Sequence, residues 1–208
     1  EEMDHDLVQS DYLTFIRVID QILSKVQIDC IIFQDYDKGV ITHKLIQEVV
    51  SRAEKAGIPV TVDPKRKNFM AYRHVTLFKP NLKEMKEGLN LPHELTDDQS
   101  VIAAARHLRE ALNCRFVLTT MSDKGVLINF QEGKEERTIL KQAHKRLISD
   151  VSGAGDTVIS VASLCLAMKR TPEEIAHISN LAGGLVCEEV GVVPVSKDKL
   201  LKETLSLL

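Results

Sequence analysis

The chain has 208 residues and a mass of 23.3 kDa, and 44% of its residues are hydrophobic, enough to fill the core of a sizeable α/β domain and too many for a disordered polypeptide. Its 27 Lys and Arg against 30 Asp and Glu leave a formal charge of -3, so no global field draws it to nucleic acid or an anionic membrane, and such a partner would need a local patch. No apolar run approaches the ~20 residues of a bilayer span, and Glu1, Glu2, Met3 and Asp4 are unlike a signal peptide, which predicts a soluble, cytoplasmic protein.

In chain order, Phe15, Ile16, Ile19, Ile22, Leu23 and Val26 share one helical face, and the β-branched run at residues 28–33 predicts a buried strand behind that helix. Thr42 is placed to cap a second helix with Leu45, Ile46, Val49, Val50 and Ala53 facing inward, and Gly57 to end it. Residues 58–62 read as a second strand closed by Asp63 and Pro64. A shorter strand follows at residues 75–78, stopped by Lys79 and Pro80, with a short helix from Asn81 or Leu82.

Residues 86–100 are polar and read as a surface loop, at whose end Thr96 with Gln99 forms a capping box for a helix carrying Val101, Ile102, Ala105, Leu108 and Leu112. Residues 115–119 are the next strand. Residues 125–130 and 137–140, joined by a polar turn around Gly133, predict an antiparallel flap on the sheet edge. From Gly153 to about Met168 the chain is apolar nearly all round, as a helix packed on several sides would be. Thr171, Pro172 and Glu174 start another helix running to about Glu189, and Ser196 opens a short last one.

This alternation predicts one α/β domain: a mostly parallel sheet covered by helices on both faces, with no repeat or linker breaking it. Cys30, Cys114, Cys165 and Cys187 are far apart among apolar neighbours, which suits buried thiols better than zinc ligands or a disulfide framework. The seven histidines, His43, His74 and His144 among them, show no metal-ligand spacing.

Ligands of such sheets sit beyond the carboxyl ends of the strands. The residues there are polar: Asp35, Asp37, Lys38 and Gly39, then Asp63 and Lys65, then Asn81 and Glu84, then Thr120, Ser122 and Gly125. The sharpest local signal is Asp150-Val151-Ser152-Gly153-Ala154-Gly155-Asp156-Thr157, leading straight into the apolar helix. Two glycines in its opening turn leave backbone N–H groups bare, and with the helix dipole these form a receptacle for an anion such as a phosphoryl group. A carboxylate beside that receptacle makes sense as the acceptor of a proton from an attacking hydroxyl. The plainer reading, an aspartate complementing a helix dipole, explains Asp156 but not both glycines, each of which costs up to about 1 kcal/mol against alanine inside a helix.

Residues 150–161, DVSGAGDTVISV, resemble the C-terminal signature of the ribokinase-like (PfkB) carbohydrate kinases. Residues 34–42, QDYDKGVIT, and residues 60–81, VTVDPKRKNFMAYRHVTLFKPN, are most similar to the heptose 7-phosphate kinase module of bacterial ADP-heptose synthases. The resemblance runs over nearly the whole chain and implies a three-layer α/β/α fold. It implies Asp156 as the base on the anomeric hydroxyl, with Gly153, Ala154 and Gly155 as the anion hole and heptose 1,7-bisphosphate as the product, in the synthesis of ADP-heptose for lipopolysaccharide core.

It also implies ATP, Mg²⁺ and a monovalent cation as cofactors, with Asn81 and Glu84 placing the magnesium through water. Thr120, Ser122 and Gly125 would approach the nucleotide phosphates, although the family commonly has glycine where Ser122 stands. Asn180 would line the adenine pocket, and Asp35, Lys38 and Lys65 would serve the sugar phosphate. Read from the residues alone, Asn81 is equally a helix cap, Asn180 a polar residue on a half-exposed helix, and Lys65, Arg66 and Lys67 a solvated cluster.

Family members begin with a strand, a segment containing a Gly-Gly pair and a small β lid through which many dimerise. Here the only Gly-Gly, Gly183 and Gly184, falls late in a predicted helix, so residues 1–208 read as the C-terminal portion of one kinase domain that lost its N-terminal part. No HxGH motif of a nucleotidyltransferase occurs. Another sugar or nucleoside kinase of the family, a nucleotide-binding fragment without turnover, and a homodimer all stay open on these residues.

Overall fold

The computed structural model describes residues 8–206, so the signal-peptide reading of Glu1, Glu2, Met3 and Asp4 lies outside the described residues. Six strands form one sheet in sequential order. Ile31–Gln34 (β1), Val60–Asp63 (β2), Leu77–Phe78 (β3) and Phe116–Thr120 (β4) are parallel, and Val126–Glu132 (β5) and Glu135–Lys141 (β6) continue the sheet antiparallel. The helices are Gln9–Lys25 (α1), His43–Ala56 (α2), Leu82–Gly88 (α3), Asp98–Leu112 (α4), Ala154–Ala167 (α5), Pro172–Val186 (α6) and Lys197–Ser206 (α7).

Both sheet faces are covered, each by a different part of the chain. A progressive strand order with right-handed crossovers puts every crossover helix on one face. Accordingly α2 and α4 share a core with α1, Phe33, Val62, Phe78, Val117 and Leu127. The neighbouring strand residues Leu77, Phe116, Leu118, Val126 and Ile128 point the other way, into a core completed by α5 and α6. Strands buried on both faces must be apolar on both, which is why the central ones read as continuous runs rather than alternations. Gly183 lets α5 and α6 approach: a Cβ there would come within 2.7 Å of Val158 Cγ2.

Most helix ends follow their local signals. Thr42 Oγ1 accepts from the Leu45 amide and Gly57 closes α2 at φ +68°. The Thr171–Glu174 capping box and Pro172 start α6. The Thr96–Gln99 box does not form; Asp97 caps α4 by accepting from the Ser100 amide at 2.9 Å, while the Thr96 carbonyl accepts from Lys124. A carboxylate one residue nearer the helix is the better acceptor for those bare amides.

Other boundaries moved. β1 begins at Ile31 rather than residue 28, because its partner strand is preceded by Pro59, whose carbonyl receives the Ile31 amide but which has no N–H to extend the ladder. β3 shrinks to two residues, α1 starts earlier at Gln9, and α6 stops at Val186. The polar stretch 86–100 contributes the end of α3 and the start of α4, leaving residues 89–97 as loop.

The four cysteines are free, with Cys114, Cys165 and Cys187 buried and Cys30 half-buried. Burial pushes the Cys114 thiol up to about 12 and that of Cys165 up to about 11. Among the described residues no helix is long and apolar enough to cross a membrane.

Candidate active site

The turn into α5 sits at the carboxyl edge of the sheet. Gly153 is its N-cap at φ +77°, a conformation L side chains rarely adopt, and its Cβ position lies 3.0 Å from Val192 Cγ1. The Ala154 amide donates to Val151 O at a long 3.3 Å, and the Thr157 amide donates to Gly153 O at 2.9 Å. Between them, the amides of Gly155 and Asp156 have no protein partner among the described residues. They are therefore available to an anion at the positive end of the helix. Asp150 braces the turn: Oδ1 accepts from Ser152 N and Oγ, and Oδ2 from the Gly191 amide at 3.0 Å. Those bonds, the Ser152 ones foremost, hold the Asp150 carboxyl below the usual carboxylate range.

Asp156, half-buried, meets side chains from β1 and the loop after it. Gln34 Nε2 donates to Asp156 Oδ1 at 2.7 Å and to Asp63 Oδ2 at 3.0 Å. The Tyr36 hydroxyl lies 3.3 Å from Asp156 Oδ2, and burial followed by the Asp156 charge pushes its pKa up. Lys79 Nζ sits 3.0 Å from Asp63 Oδ1 with side chains 3% and 6% exposed, a buried ion pair off the hydrogen-bonding direction. That pair lies directly under the turn, with Lys79 Nζ 3.6 Å from where a Gly155 Cβ would be.

On the opposite side of the turn a cavity of about 760 Å³ opens between Ala154 and Gly155 and the residues Asn81, Thr120, Ser122, Gly125 and Asn180. Seven sequence candidates from four separate chain segments thus line one space. Ser122, at φ +55°, holds the left-handed conformation that explains why glycine suits this position. Gly125 has no alternative, since at φ +96° its Cβ would stand 2.0 Å from Lys141 O. Gly125→Ala is expected to cost at least about 3 kcal/mol, read as a lowered denaturation midpoint, because left-handed strain and a backbone clash act together. Asn180 Nδ2 donates to Gln142 O at 2.9 Å, so it both lines the cavity and ties α6 to the segment after β6. Arg146, paired with Glu188 and Glu203, holds the same segment from its other side.

The remaining candidates separate. Asn81 and Glu84 form a reciprocal capping box for α3, and Glu84 Oε1 also takes Lys65 Nζ at 2.7 Å. Asn81 therefore caps a helix and also lines the cavity. Asp35 turns inward: only 1% exposed, it accepts from Tyr72 Oη at 2.6 Å, Asn68 Nδ2 at 3.0 Å and the Asp37 amide at 2.9 Å. With its carboxylate so enclosed it shapes the loop that carries Asp37, Gly39 and the exposed Lys38 rather than facing the cavity. Reading the sequence missed Gln34, Tyr36, Lys79 and Arg146. The first three carried a usable signal, standing at or just beyond the carboxyl end of a strand.

A progressive, mostly parallel sheet flanked on both faces, with this turn at its carboxyl edge, defines a ribokinase-like protein. Escherichia coli phosphofructokinase-2 in complex with potassium superimposes with a TM-score of 0.81 at 22% identity, covering 97% of this chain and 63% of that one. Arabidopsis thaliana ribokinase complexed with ribose and ATP superimposes at 0.68 with 19% identity, covering 97% and 60%. Residues 21–199 match the pfkB family carbohydrate kinase model. In sequence the chain is similar to the bifunctional protein HldE of Granulibacter bethesdensis, 40% identical over 177 residues, and to that of Methylobacillus flagellatus, 37% identical over 174 residues; each alignment covers 83% of this chain. The chain belongs to the pfkB family of carbohydrate kinases. It spans about a third of the length of these curated relatives, 36% and 34% respectively.

Proposed function

We propose that this protein transfers the terminal phosphoryl group of ATP to the anomeric hydroxyl of D-glycero-D-manno-heptose 7-phosphate, releasing heptose 1,7-bisphosphate and ADP. The observation that carries the reading is Asp156 standing next to the unpartnered Gly155 and Asp156 amides at the mouth of α5, where Ala154 and Gly155 line a large cavity. Similarity to the HldE proteins supports the choice of sugar within the family.

In this reading Asp156 accepts the proton of the acceptor hydroxyl as that oxygen attacks phosphorus. The bare amides and the positive end of α5 take up charge on the equatorial oxygens of the migrating phosphoryl group. Asn180, Thr120 and Gly125 wall the space for the nucleotide, and Lys65, next to Glu84, lends positive charge on the phosphate side. Asn81 and Glu84 are oxygen donors of the hard type that a hydrated magnesium ion prefers, and the Glu84 side chain keeps 15% exposure through which water reaches it. Magnesium bound with ATP neutralises phosphate charge, and these two residues would hold it through water.

The test is a panel of acceptors. With ATP and Mg²⁺, kcat/KM for heptose 7-phosphate is expected to exceed that for ribose and fructose 6-phosphate by about 10²-fold or more. Preference for another sugar overturns the substrate assignment. Absence of nucleotide binding at millimolar ATP overturns the kinase reading itself.

A further inference from the structure

We propose that Gln34 is a positioning residue that clamps the Asp156 carboxylate to the Asp63–Lys79 ion pair. The inference rests on Asp156 being the base, and it adds a residue outside the GAGD turn. A primary amide has two N–H donors, and Gln34 uses both, one on Asp156 Oδ1 and one on Asp63 Oδ2. Two carboxylates can share one amide only if the pair's charge is offset. Lys79, 3.0 Å from the other Asp63 oxygen, offsets it.

The placement follows from the sheet. Gln34 and Asp63 are register partners at the ends of β1 and β2, and the Asp35 amide donates to Asp63 O at 3.1 Å just beyond them. Phe33 enters the core under α2, so its neighbour Gln34 points to the opposite face, where α5 begins. The base thus hangs from the rigid sheet edge as well as from its own helix. Oδ1 is held, and among the described residues Oδ2 keeps only the long contact to Tyr36, leaving it to receive the proton. The charged and titratable groups around Asp156 are Asp63 from β2, Lys79 beyond β3, Lys65 from the loop after β2 and Tyr36 from the loop after β1.

The experiment follows the Asp156 carboxyl carbon by carbon-detected NMR at neutral pH, without nucleotide or metal, in the unaltered protein, in Gln34→Met and in Gln34→Glu. Methionine keeps the length and removes the donors; glutamate adds a third carboxylate. Loss of the donor is expected to move the Asp156 carboxyl resonance in both variants. In kinetics kcat should fall by about tenfold or more with KM for ATP within about twofold, because the base loses its alignment and nucleotide binding does not use Gln34. An unmoved Asp156 resonance in both variants overturns the clamp. A moved resonance in a protein whose turnover survives Asp156→Asn leaves the clamp standing and removes the base assignment, so the two readings fail separately.

Discussion

Asp156→Asn is expected to lower phosphoryl transfer by about 10²–10⁴-fold while ATP still binds. Asparagine is nearly isosteric and its Oδ1 can still accept from Gln34, so the geometry of the turn survives. What disappears is the capacity to take a proton. The change also removes a negative charge from the first turn of α5, worth about 0.3–1 kcal/mol to the helix, too little to unfold it. Turnover and nucleotide titration on the same preparation separate the two effects. Turnover within about threefold of the unaltered protein would refute the assignment.

Lys79→Met is expected to destabilise the protein by about 3–5 kcal/mol, the cost of leaving Asp63 charged and unpaired in a site where both side chains are almost fully enclosed. Against a typical total of about 5–15 kcal/mol this is a large loss. Replacing both members, as in Asp63→Leu with Lys79→Met, should restore much of it, since no orphaned charge then remains. Urea midpoints of the two single variants and the double variant decide the matter. If the double variant loses the sum of the single losses, the pair is not coupled and the buried-charge account is wrong.

Thr42, Gly57, Thr171 and Gly153 announce helix ends because capping is settled within about one helical turn. Thr96 and Asp97 show the limit of that rule: adjacent residues both carry a capping oxygen, and the pattern selects the wrong one. Strand ends are less legible still, since β1 starts where Pro59 allows its neighbour to pair. Asp35 looked like a ligand residue because it follows a strand, and nothing local foretold that Tyr72 and Asn68 would enclose it.

The sequence by itself determined the alternation of strands and helices, the apolar cores on both sheet faces, and the glycine-rich turn into α5 with its adjacent aspartate, since each depends on residues close together in the chain. Only the tertiary structure decided which side chains hold that aspartate. Gln34 and Asp156 lie 122 residues apart, and their meeting depends on the register of β1 against β2 and on where α5 lands across the sheet. No periodicity records such a contact, because it is fixed by the packing of whole elements and not by the preference of any one residue.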